Sequence, residues 1–252
     1  MAEQILLVGE AWITYSIHIK GFAGFETGSY GEGAGPLRDA LQSGGHDVTY
    51  LPTNHVSVHF PSSAEGLSGY LVVILSDVPS DTILLHPETF ENGRRTPDRL
   101  AELASYVMRG GSLLMIGGYM SFSGIYGRAH YRATALRDIL PVELEVGDDR
   151  IERPAGVVPK VINQHAILEG LSDWPHLLGY NRFAAKPGSQ TLLMVGNDPL
   201  LVIGEVGAGR VAAFASDCAP HWGSPEFLAW SGYPTFWNNL VNWLSDTHPV
   251  NQ

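Results

Sequence analysis

Short apolar runs alternate with helical segments along the first half of the chain. Four runs have the length and composition of buried strands: Ile5–Gly9, Asp47–Leu51, Leu71–Leu75 and Leu113–Ile116. Between them, Pro36–Ser43 ends at a Gly-Gly helix stop, Pro61–Gly69 forms a short helix or turn, and Pro97–Arg109 carries apolar residues at helical spacing. Strands that alternate with helices are typical of a parallel sheet with helices on both faces. The pattern therefore predicts a doubly wound α/β fold.

The second half of the chain shows a different pattern. Three apolar runs are separated only by turn residues: Thr191–Val195, Leu200–Glu205 and Arg210–Ala215. This spacing predicts a hairpin that extends the sheet with antiparallel strands. Prolines and charged residues interrupt Val142–Val161, which predicts that this segment is an extended connection. Phe227–Leu244 has apolar residues at helical spacing and predicts a C-terminal helix.

The stretch Gly110–Gly124 contains the strongest local signal for a site. Leu113–Ile116 is wholly apolar, and Gly117-Gly118 after it permits positive φ or a very close backbone approach. Ligands of doubly wound sheets bind beyond the carboxyl ends of the strands, which places Gly117–Gly124 at the expected site. A strand followed by a tight turn is also the geometry of a nucleophile elbow. The ligand-binding candidates on this loop are Tyr119, Ser121 and Arg128.

A second candidate region follows the first predicted strand. Residues Ala11–Glu32 are aromatic and rich in glycine, and we interpret them as a long loop, which is uncommon unless it binds something. Glu10 stands at the end of the strand, where sheet ligands are held. Trp12 offers a flat apolar face, while His18 and Lys20 offer hydrogen bonds, a mixture that suits a sugar or another polar small molecule. The alternative is a loop that packs over the sheet edge or contacts another subunit.

Cys218 and His221 stand three residues apart, just after the last apolar run. A cysteine beside a histidine can act as a thiolate nucleophile, with Asp217 as a group that orients the histidine. The alternative is a buried structural cysteine, a histidine bonded to the backbone, and an aspartate that belongs to a turn. These residues lack paired ligand spacing, so no metal site is predicted. His55 and His59 flank a strand-like alternation and are interpreted as surface residues.

Composition narrows the classes of function. The chain has 252 residues, 44% of them hydrophobic and 16% charged, which fits one globular domain over residues 1–252. A net charge of −11 argues against a nucleic-acid partner, since phosphate binding needs a basic patch. The single cysteine rules out an internal disulfide and a multi-cysteine zinc site. No basic leader and no long apolar run is present, which predicts a cytoplasmic protein without a membrane partner.

The chain resembles the class I glutamine amidotransferase-like superfamily, and within it the branch of putative glutamine amidotransferases. The resemblance rests on the order of elements and on four stretches: Gly9–Trp12, His18–Phe22, Gly117–Gly124 and Ser216–Gly223. Asp217 and Trp222, in the last stretch, join the ligand-binding candidates. Gly209–Trp222 is also similar to trehalose-utilisation-type proteins and to the trimerisation domain of some β-galactosidases. The resemblance implies a flavodoxin-like fold, and fold alone does not give function.

The motifs of the family's glutaminases are incomplete in this chain. Those enzymes place a cysteine in the middle of Gly-x-Cys-x-Gly at the elbow, where it attacks the amide while backbone N–H groups stabilise the oxyanion. Here the run is Gly117-Gly118-Tyr119-Met120-Ser121, so Tyr119 occupies the nucleophile position. A phenol with a pKa of about 10 is a poor replacement for a thiolate. The downstream His-x-Glu signature also has no match after Gly124, so we expect no glutaminase activity by the usual route.

Three functions are compatible with the sequence. The first is an amidotransferase-like protein that binds a small polar ligand, a sugar or an amide-like compound, at the carboxyl edge of the sheet without a cofactor. The second is a hydrolase or transferase that uses Cys218 and His221, with Glu10 as a further ionisable candidate. The third is a homo-oligomeric assembly module, since Phe227–Leu244 holds more aromatic side chains than one buried stripe needs.

The direction of the strand Val211–Ala215 decides how the site is assembled. If it runs parallel to the strands before Glu10 and Gly118, then the segments Glu10–Lys20, Gly118–Ser121 and Asp217–His221 meet at one edge of the sheet. If it runs antiparallel, the cysteine and histidine lie at the opposite edge, and Glu10 becomes the main ionisable candidate. The sequence leaves this direction open.

Overall fold

The computed structural model describes residues 4–246, and an eight-stranded sheet forms the centre of this part of the chain. The strands, in chain order, are β1 (Gln4–Gly9), β2 (Ala11–Lys20), β3 (Ala23–Glu32), β4 (Asp47–Leu51), β5 (Val72–Ser76), β6 (Ser112–Ile116), β7 (Val142–Leu144), β8 (Arg150–Val157), β9 (Lys160–Val161), β10 (Leu177–Asn181), β11 (Phe183–Ala185), β12 (Gln190–Val195), β13 (Asp198–Val206) and β14 (Gly209–Phe214).

Helices connect these strands and cover the sheet. They are α1 (Gly35–Ser43), α2 (Thr53–His59), α3 (Ala64–Leu67), α4 (Ser80–Leu84), α5 (Pro87–Phe90), α6 (Arg99–Met108), α7 (Leu136–Ile139), α8 (Pro225–Leu228) and α9 (Gly232–Ser245). Short 3₁₀ turns lie at Ile125–Gly127, Tyr131–Ala133 and Ala166–Leu168.

The order of strands in the sheet is β4-β1-β5-β6-β14-β13-β12-β9. The first five run parallel to one another, and β13, β12 and β9 continue the sheet in antiparallel pairs. Numbered by their order in the chain, the parallel strands give the order 2-1-3-4-5, which is flavodoxin-like. The predicted α/β fold, with a mostly parallel sheet and a C-terminal hairpin extension, is therefore confirmed.

Burial explains why the apolar runs form the central strands. Every residue of β5 and β6 is buried, and so is every residue of β1 except Gln4. Strands covered on both faces are apolar throughout, as these are. The covering helices form two groups, since α1 packs with α9, while α6 packs with α3, α4 and α7. The strand β14 runs parallel to β6, which settles the direction that the sequence left open.

The segment Ala11–Glu32 is not a loop. It forms a two-stranded antiparallel ribbon in which β2 and β3 pair over ten residues each. Gly21, with φ of 62°, and Phe22 make the turn, as in two-residue hairpin turns that place glycine first. Apolar and polar residues alternate along β2 with the period of a strand. The many glycines of the segment are typical of a loop, which is why the sequence was interpreted as one. Nearly all of the ribbon is exposed, and we call residues 11–32 the arm.

Two further expectations are corrected. His55 and His59 lie on helix α2 and not on a strand, although both are exposed, as the surface interpretation expected. The predicted C-terminal helix is divided into α8 and α9. The number of aromatic side chains in residues 227–244 suggested a subunit interface, but Tyr233, Phe236 and Trp237 among them are buried in the core. This helix therefore gives no support to the homo-oligomer, which stays a prediction.

Candidate functional site

Four segments that follow parallel strands converge on one cavity at the carboxyl edge of the sheet. Glu10 follows β1, Asp77 follows β5, Tyr119 follows β6 after two glycines, and the segment Asp217–His221 follows β14. The cavity measures about 200 Å³. Its lining consists of Glu10, Trp12, Asp77, Tyr119, Asp217, Pro220 and His221. The convergence follows from strand direction, because the carboxyl ends of parallel strands share one edge.

Glu10 and Asp77 lie on either side of the point where the strand order reverses. The connection after β1 leads to β4 on one side, and the connection after β5 leads to β6 on the other. A crevice opens between two such connections, and ligands of open α/β sheets bind there. The two strand ends are also tied together, since the Glu10 N–H donates to the Ser76 carbonyl at 3.0 Å.

Three side chains around the cavity stand on backbone with positive φ: Glu10 at 50°, Asp77 at 42° and His221 at 136°. Such angles cost free energy for residues other than glycine, and they concentrate at functional sites where the surrounding structure enforces them. Gly9 shows how closely the strand ends approach here, since a Cβ at this position would collide with the Ser76 carbonyl oxygen. The packed ends of β1 and β5 thus fix the directions of the Glu10 and Asp77 side chains.

The carboxyl groups at the cavity are held by hydroxyl and backbone donors. Glu10 Oε1 accepts a hydrogen bond of 2.6 Å from the Ser76 hydroxyl. Asp77 Oδ1 accepts the Met120 N–H at 2.7 Å, and Asp217 Oδ1 accepts the N–H two residues further on at 2.9 Å. Buried polar groups need such partners, and these contacts also restrict how the carboxyl groups can turn.

Burial raises the pKa of all three acids. For Glu10, burial and then the charge of Asp77 raise the pKa from its ordinary 4.5 to about 8. Burial also raises the pKa of Asp77, and it raises that of Asp217 well above its ordinary value, with the charge of Glu10 adding to the effect. His221 shifts in the other direction, because burial lowers its pKa. At pH 7 the site therefore holds the protonated carboxyl group of Glu10 beside the neutral imidazole of His221.

Cys218 has the surroundings of a structural thiol. Its side chain is fully buried, and Sγ lies 3.5 Å from the Ser76 hydroxyl and 3.9 Å from Glu10 Oε1. Burial, and then the charges of Glu10 and Asp217, raise the pKa of the thiol well above its ordinary value. A reactive cysteine needs the opposite, an electropositive and partly open environment. His221 approaches Asp217 instead, since Nδ1 of its ring lies 3.9 Å from Asp217 Oδ2.

Tyr119 contributes the face of its ring to the cavity. Its hydroxyl donates to Glu152 Oε1 at 2.8 Å, and the Trp222 indole N–H donates to the other oxygen of that carboxylate at 3.1 Å. Arg150, on the same strand β8, places its guanidinium 4.7 Å from the centroid of the tyrosine ring. The ring of His221 meets it edge to face at 4.4 Å. Tyr119 is thus a clamped aromatic wall whose hydroxyl is engaged by β8.

The turn after β6 does not have the backbone of a nucleophile elbow at Tyr119. In an elbow the nucleophile itself stands on a strained turn, whereas here the positive φ, 152°, falls on Gly118. Asn181 at the end of β10 holds this turn, since its Oδ1 accepts the Gly118 N–H at 2.9 Å and its Nδ2 donates to Asp149 Oδ1 at 2.8 Å. Asp77, in contrast to Tyr119, does have a positive φ, and it directly follows the buried parallel strand β5, as the residue at an elbow does.

Three predicted ligand-binding residues lie away from the cavity. His18 and Lys20 are carried outward on the arm, whose ten-residue strands reach roughly 34 Å at about 3.4 Å per residue. His18 stacks on Phe25 with ring centroids 4.6 Å apart. Arg128 is exposed, and its guanidinium lies 5.6 Å from the centroid of the Tyr126 ring. His18 and Lys20 lie apart from the cavity because a paired ribbon extends away from the sheet edge, whereas a loop would fold over it.

Sequence reasoning missed Asp77, Arg150 and Glu152. Asp77 follows an apolar run just as Glu10 does, so the same rule would have found it. Its N–H donates at 3.1 Å to the hydroxyl of Ser121, which was predicted and is buried beside the cavity. No sequence signal marks the two residues of β8, because only the pairing of β8 with β10 brings that strand towards the site.

One group of metal-ligand atoms occurs in the part of the chain that the structure describes. Atoms of Glu10, Asp217 and Cys218 lie within 4.8 Å of one another. Burial raises the pKa of each of these groups, so a cation would compete with bound protons at neutral pH. The arrangement by itself therefore does not indicate a metal site.

Two solved structures from Salmonella typhimurium are similar to this one over nearly their whole length. Cytoplasmic protein STM1381 from strain LT2 is 46% identical, with a TM-score of 0.93 over 96% of this chain and 99% of that chain. Cytoplasmic protein STM3548 is 42% identical, with a TM-score of 0.93 over 95% of this chain and 98% of that chain. A β-galactosidase from Rahnella sp. R3 is 14% identical, with a TM-score of 0.53 over 86% of this chain and 28% of that chain, which shows the fold alone.

Comparison with known proteins identifies the family of the chain. None of the curated proteins matches the chain. Within residues 4–246, no helix has the length and apolar character needed to cross a membrane. The family described as putative glutamine amidotransferase matches residues 4–246, which confirms the resemblance seen in the sequence. With this match and two highly similar structures, the chain belongs to the putative glutamine amidotransferase family.

Proposed function

We propose that the cavity binds a small polar ligand and that the acids around it exchange protons with that ligand. The observation that carries this proposal is the set of three buried carboxyl groups, Glu10, Asp77 and Asp217, with raised pKa values around one cavity. Carboxyl groups perturbed in this way in a cleft are candidates for general acid–base work. The strained backbone of Glu10 and Asp77 supports the same interpretation.

Proton donors and proton acceptors are both available at neutral pH. With a pKa of about 8, the carboxyl group of Glu10 carries its proton at pH 7 and can donate it. His221, whose pKa is lowered, is neutral and can accept a proton. Titratable groups whose environments separate their pKa values commonly take paired acid and base roles. This pairing suits proton transfer to or from a hydroxyl, carbonyl or amide group.

The lining favours a neutral ligand that carries hydroxyl or amide groups. Carboxyl groups form hydrogen bonds with both, and the rings of Trp12 and Tyr119 can cover an apolar face of the ligand. No lysine or arginine is among the lining residues, which argues against a phosphate or carboxylate ligand. A volume of about 200 Å³ corresponds to roughly seven waters of about 30 Å³ each. A sugar or an amide-like compound of about monosaccharide size or smaller fits these limits.

Glutamine hydrolysis at the elbow is not part of this proposal, because the hydroxyl of Tyr119 is engaged by Glu152. A hydrolase or transferase centred on Cys218 receives less support than one centred on Glu10. The thiol is buried with a raised pKa, whereas the carboxyl group of Glu10 lines the cavity. A cysteine in such surroundings is protonated and shielded.

Thermal shift measurements across sugars, polyols, amino acids and amides test the proposal. We expect a sugar or an amide to raise the melting temperature of the native protein, because a ligand that binds only the folded state stabilises it. Glu10→Gln and Asp217→Asn should abolish that shift. The matched control is Glu65→Gln, an exposed acid on helix α3, which should keep it. No shift with any compound, or a shift that survives both cavity substitutions, contradicts the proposal.

We also propose where the protein is located and a second candidate function. A cytoplasmic location is supported by the two Salmonella typhimurium relatives, which are described as cytoplasmic proteins, and cell fractionation tests it. A second candidate function is that of a homo-oligomeric assembly module. The observation that favours it is the exposure of large apolar side chains along the arm.

A further inference from the structure

The arm has an apolar face that the described part of the chain leaves exposed. Every second residue of β2 between positions 13 and 19 is large and apolar. These residues share one face of the ribbon with the residue that pairs with the first of them: Ile13, Tyr15, Ile17, Ile19 and Tyr30. All five are exposed, Tyr15 by 76%. Glycines pair with Tyr15 and Ile19, so the large side chains of β2 form a ridge and the glycine positions of β3 leave a depression beside it.

Such an arm requires a partner surface. A two-stranded ribbon alone is only marginally stable in water, because it has no packed face. Phe22 at the tip is 113% exposed, more than in a reference extended chain. Contiguous apolar surface of this extent marks an interaction site. The length, exposure and apolar face of the arm together indicate that it is covered when the protein is assembled.

A groove of about 420 Å³ lies at the base of the same arm. Thr53 and Asn54 line it and also contact the arm. The Ala11 N–H donates to Thr53 Oγ1 at 3.3 Å, and the Tyr30 hydroxyl, which donates to Glu32 Oε1 at 2.6 Å, lies 3.5 Å from Asn54 Oδ1. The rest of the lining includes apolar and acidic side chains: Leu85, Pro87, Phe90, Asp81 and Glu91.

We propose that a second copy of this chain covers the arm. The two arms lie antiparallel about a two-fold axis, and the tip of each enters the groove at the base of the other. Tip and base meet in this arrangement because both arms have the same length, and a two-fold axis makes the two contacts identical. Phe22 provides the apolar tip that faces Leu85 and Phe90 in the groove of the second copy. This inference deepens the self-association proposed above and does not depend on ligand binding in the cavity.

The charges fit a second copy as the occupant. Lys20 stands beside the tip, while Asp81 and Glu91 stand at the groove, so each end of the contact pairs a cation with acids. The arm also carries Glu26, which pairs with Ile17 on the same face, and Glu32 at its base. An anionic membrane surface is a poor alternative, because the chain carries a net charge of −11.

The area available is of the order that a stable dimer needs. The apolar face of the arm is about 34 Å long and two strands, or about 10 Å, wide. Its flat projection is therefore roughly 340 Å² on each copy. The protruding side chains, the tip and the groove at the other end add to this area. A standard interface buries ~800 Å² per partner, so the side chains, the tip and the groove have to supply more than half of it.

Light scattering at micromolar concentration tests the arrangement. We expect the native protein to have twice the mass of one chain. Ile17→Asp on the face and Phe22→Asp at the tip should each raise the dissociation constant about tenfold or more, because each places an unpaired charge in the interface. Val146→Asp is the matched control, an apolar residue 78% exposed outside the arm and groove, and it should leave the mass unchanged. Circular dichroism shows that each variant is folded.

Charge reversal tests the groove itself. Lys20→Glu should weaken the dimer, and adding Asp81→Lys with Glu91→Lys should restore it, since the attraction is recovered with both signs exchanged. A monomeric native protein, or a dimer that survives both arm substitutions, overturns the proposal. Binding of the monomer to neutral phosphatidylcholine vesicles through Phe22 overturns it too, since a lipid surface would then cover the arm. A dimer that depends on the arm but is not restored by the reversal overturns the assignment of the groove.

Discussion

The Ser76 hydroxyl donates a hydrogen bond of 2.6 Å to Glu10 Oε1 across the point where the strand order reverses. Ser76 ends β5 and Glu10 follows β1, so this bond joins the two strand ends that define the crevice. It also satisfies an oxygen of a carboxyl group that the fold keeps away from water. The contact therefore links the topology of the sheet to the acid on which the proposed function depends.

Stability should fall as the pH rises from about 5 to about 8. Glu10 has a pKa of about 8 in the folded protein and an ordinary value of 4.5 when unfolded, so the folded state binds more protons between these values. The stabilisation is fully present below the lower value and is lost as the pH rises through the higher one. Glu10→Gln removes this titration, so its melting temperature should change less over the same range. Parallel pH profiles for the two proteins would contradict the assignment.

Removal of the Ser76 hydroxyl should destabilise the protein by about 1–3 kcal/mol, the usual cost of leaving a buried acceptor without its donor. The measurement is the free energy of unfolding of Ser76→Ala from urea titration. Ser80→Ala is the matched control, because the Ser80 hydroxyl is buried and has no hydrogen-bond partner among the described residues. The control should lose much less stability. Equal losses in the free energy of unfolding of the two variants would show that the hydrogen bond from Ser76 to Glu10 does not stabilise the protein.

The protein should release no ammonia from glutamine. Tyr119 stands where the family's glutaminases have cysteine, and its hydroxyl is held by Glu152. The buried thiol of Cys218 is kept protonated, so it is a poor substitute nucleophile. A coupled assay for ammonia with purified protein is the measurement. Glutamine-dependent release that is lost in Tyr119→Phe or Cys218→Ser would refute this expectation.

Gly9→Ala should destabilise the protein by more than about 3 kcal/mol, since it adds both a backbone penalty and a steric clash. Gly9 has φ of 113°, and a Cβ there would meet the carbonyl of Ser76. Gly35→Ala is the control, because Gly35 has open space around it and no positive φ, and alanine favours its helix. Thermal and urea unfolding of both variants decide the matter. Similar stabilities would mean that the strand ends are not tightly packed.

The central strands and the edge at which the candidate site lies follow from local sequence patterns. A run such as Leu113–Ile116 is apolar at every position, which is the property of a strand covered on both faces. Glu10 and Tyr119 each follow such a run, and parallel strands bring these positions to one edge whatever their side chains are. The same local rule, applied to Leu71–Leu75, would also have located Asp77.

The direction of β14, the form of the arm and the chemistry of Cys218 depend on contacts between distant parts of the chain. A short apolar run has the same composition in either direction, and the parallel pairing of β14 with β6 depends on residues far apart in the chain. The arm is a ribbon because its two strands satisfy each other's backbone groups, although its glycines are typical of a loop. The pKa values of Cys218 and Glu10 depend on burial and on charges that other strands bring near. These effects depend on distance in space and not along the chain, so no local pattern encodes them.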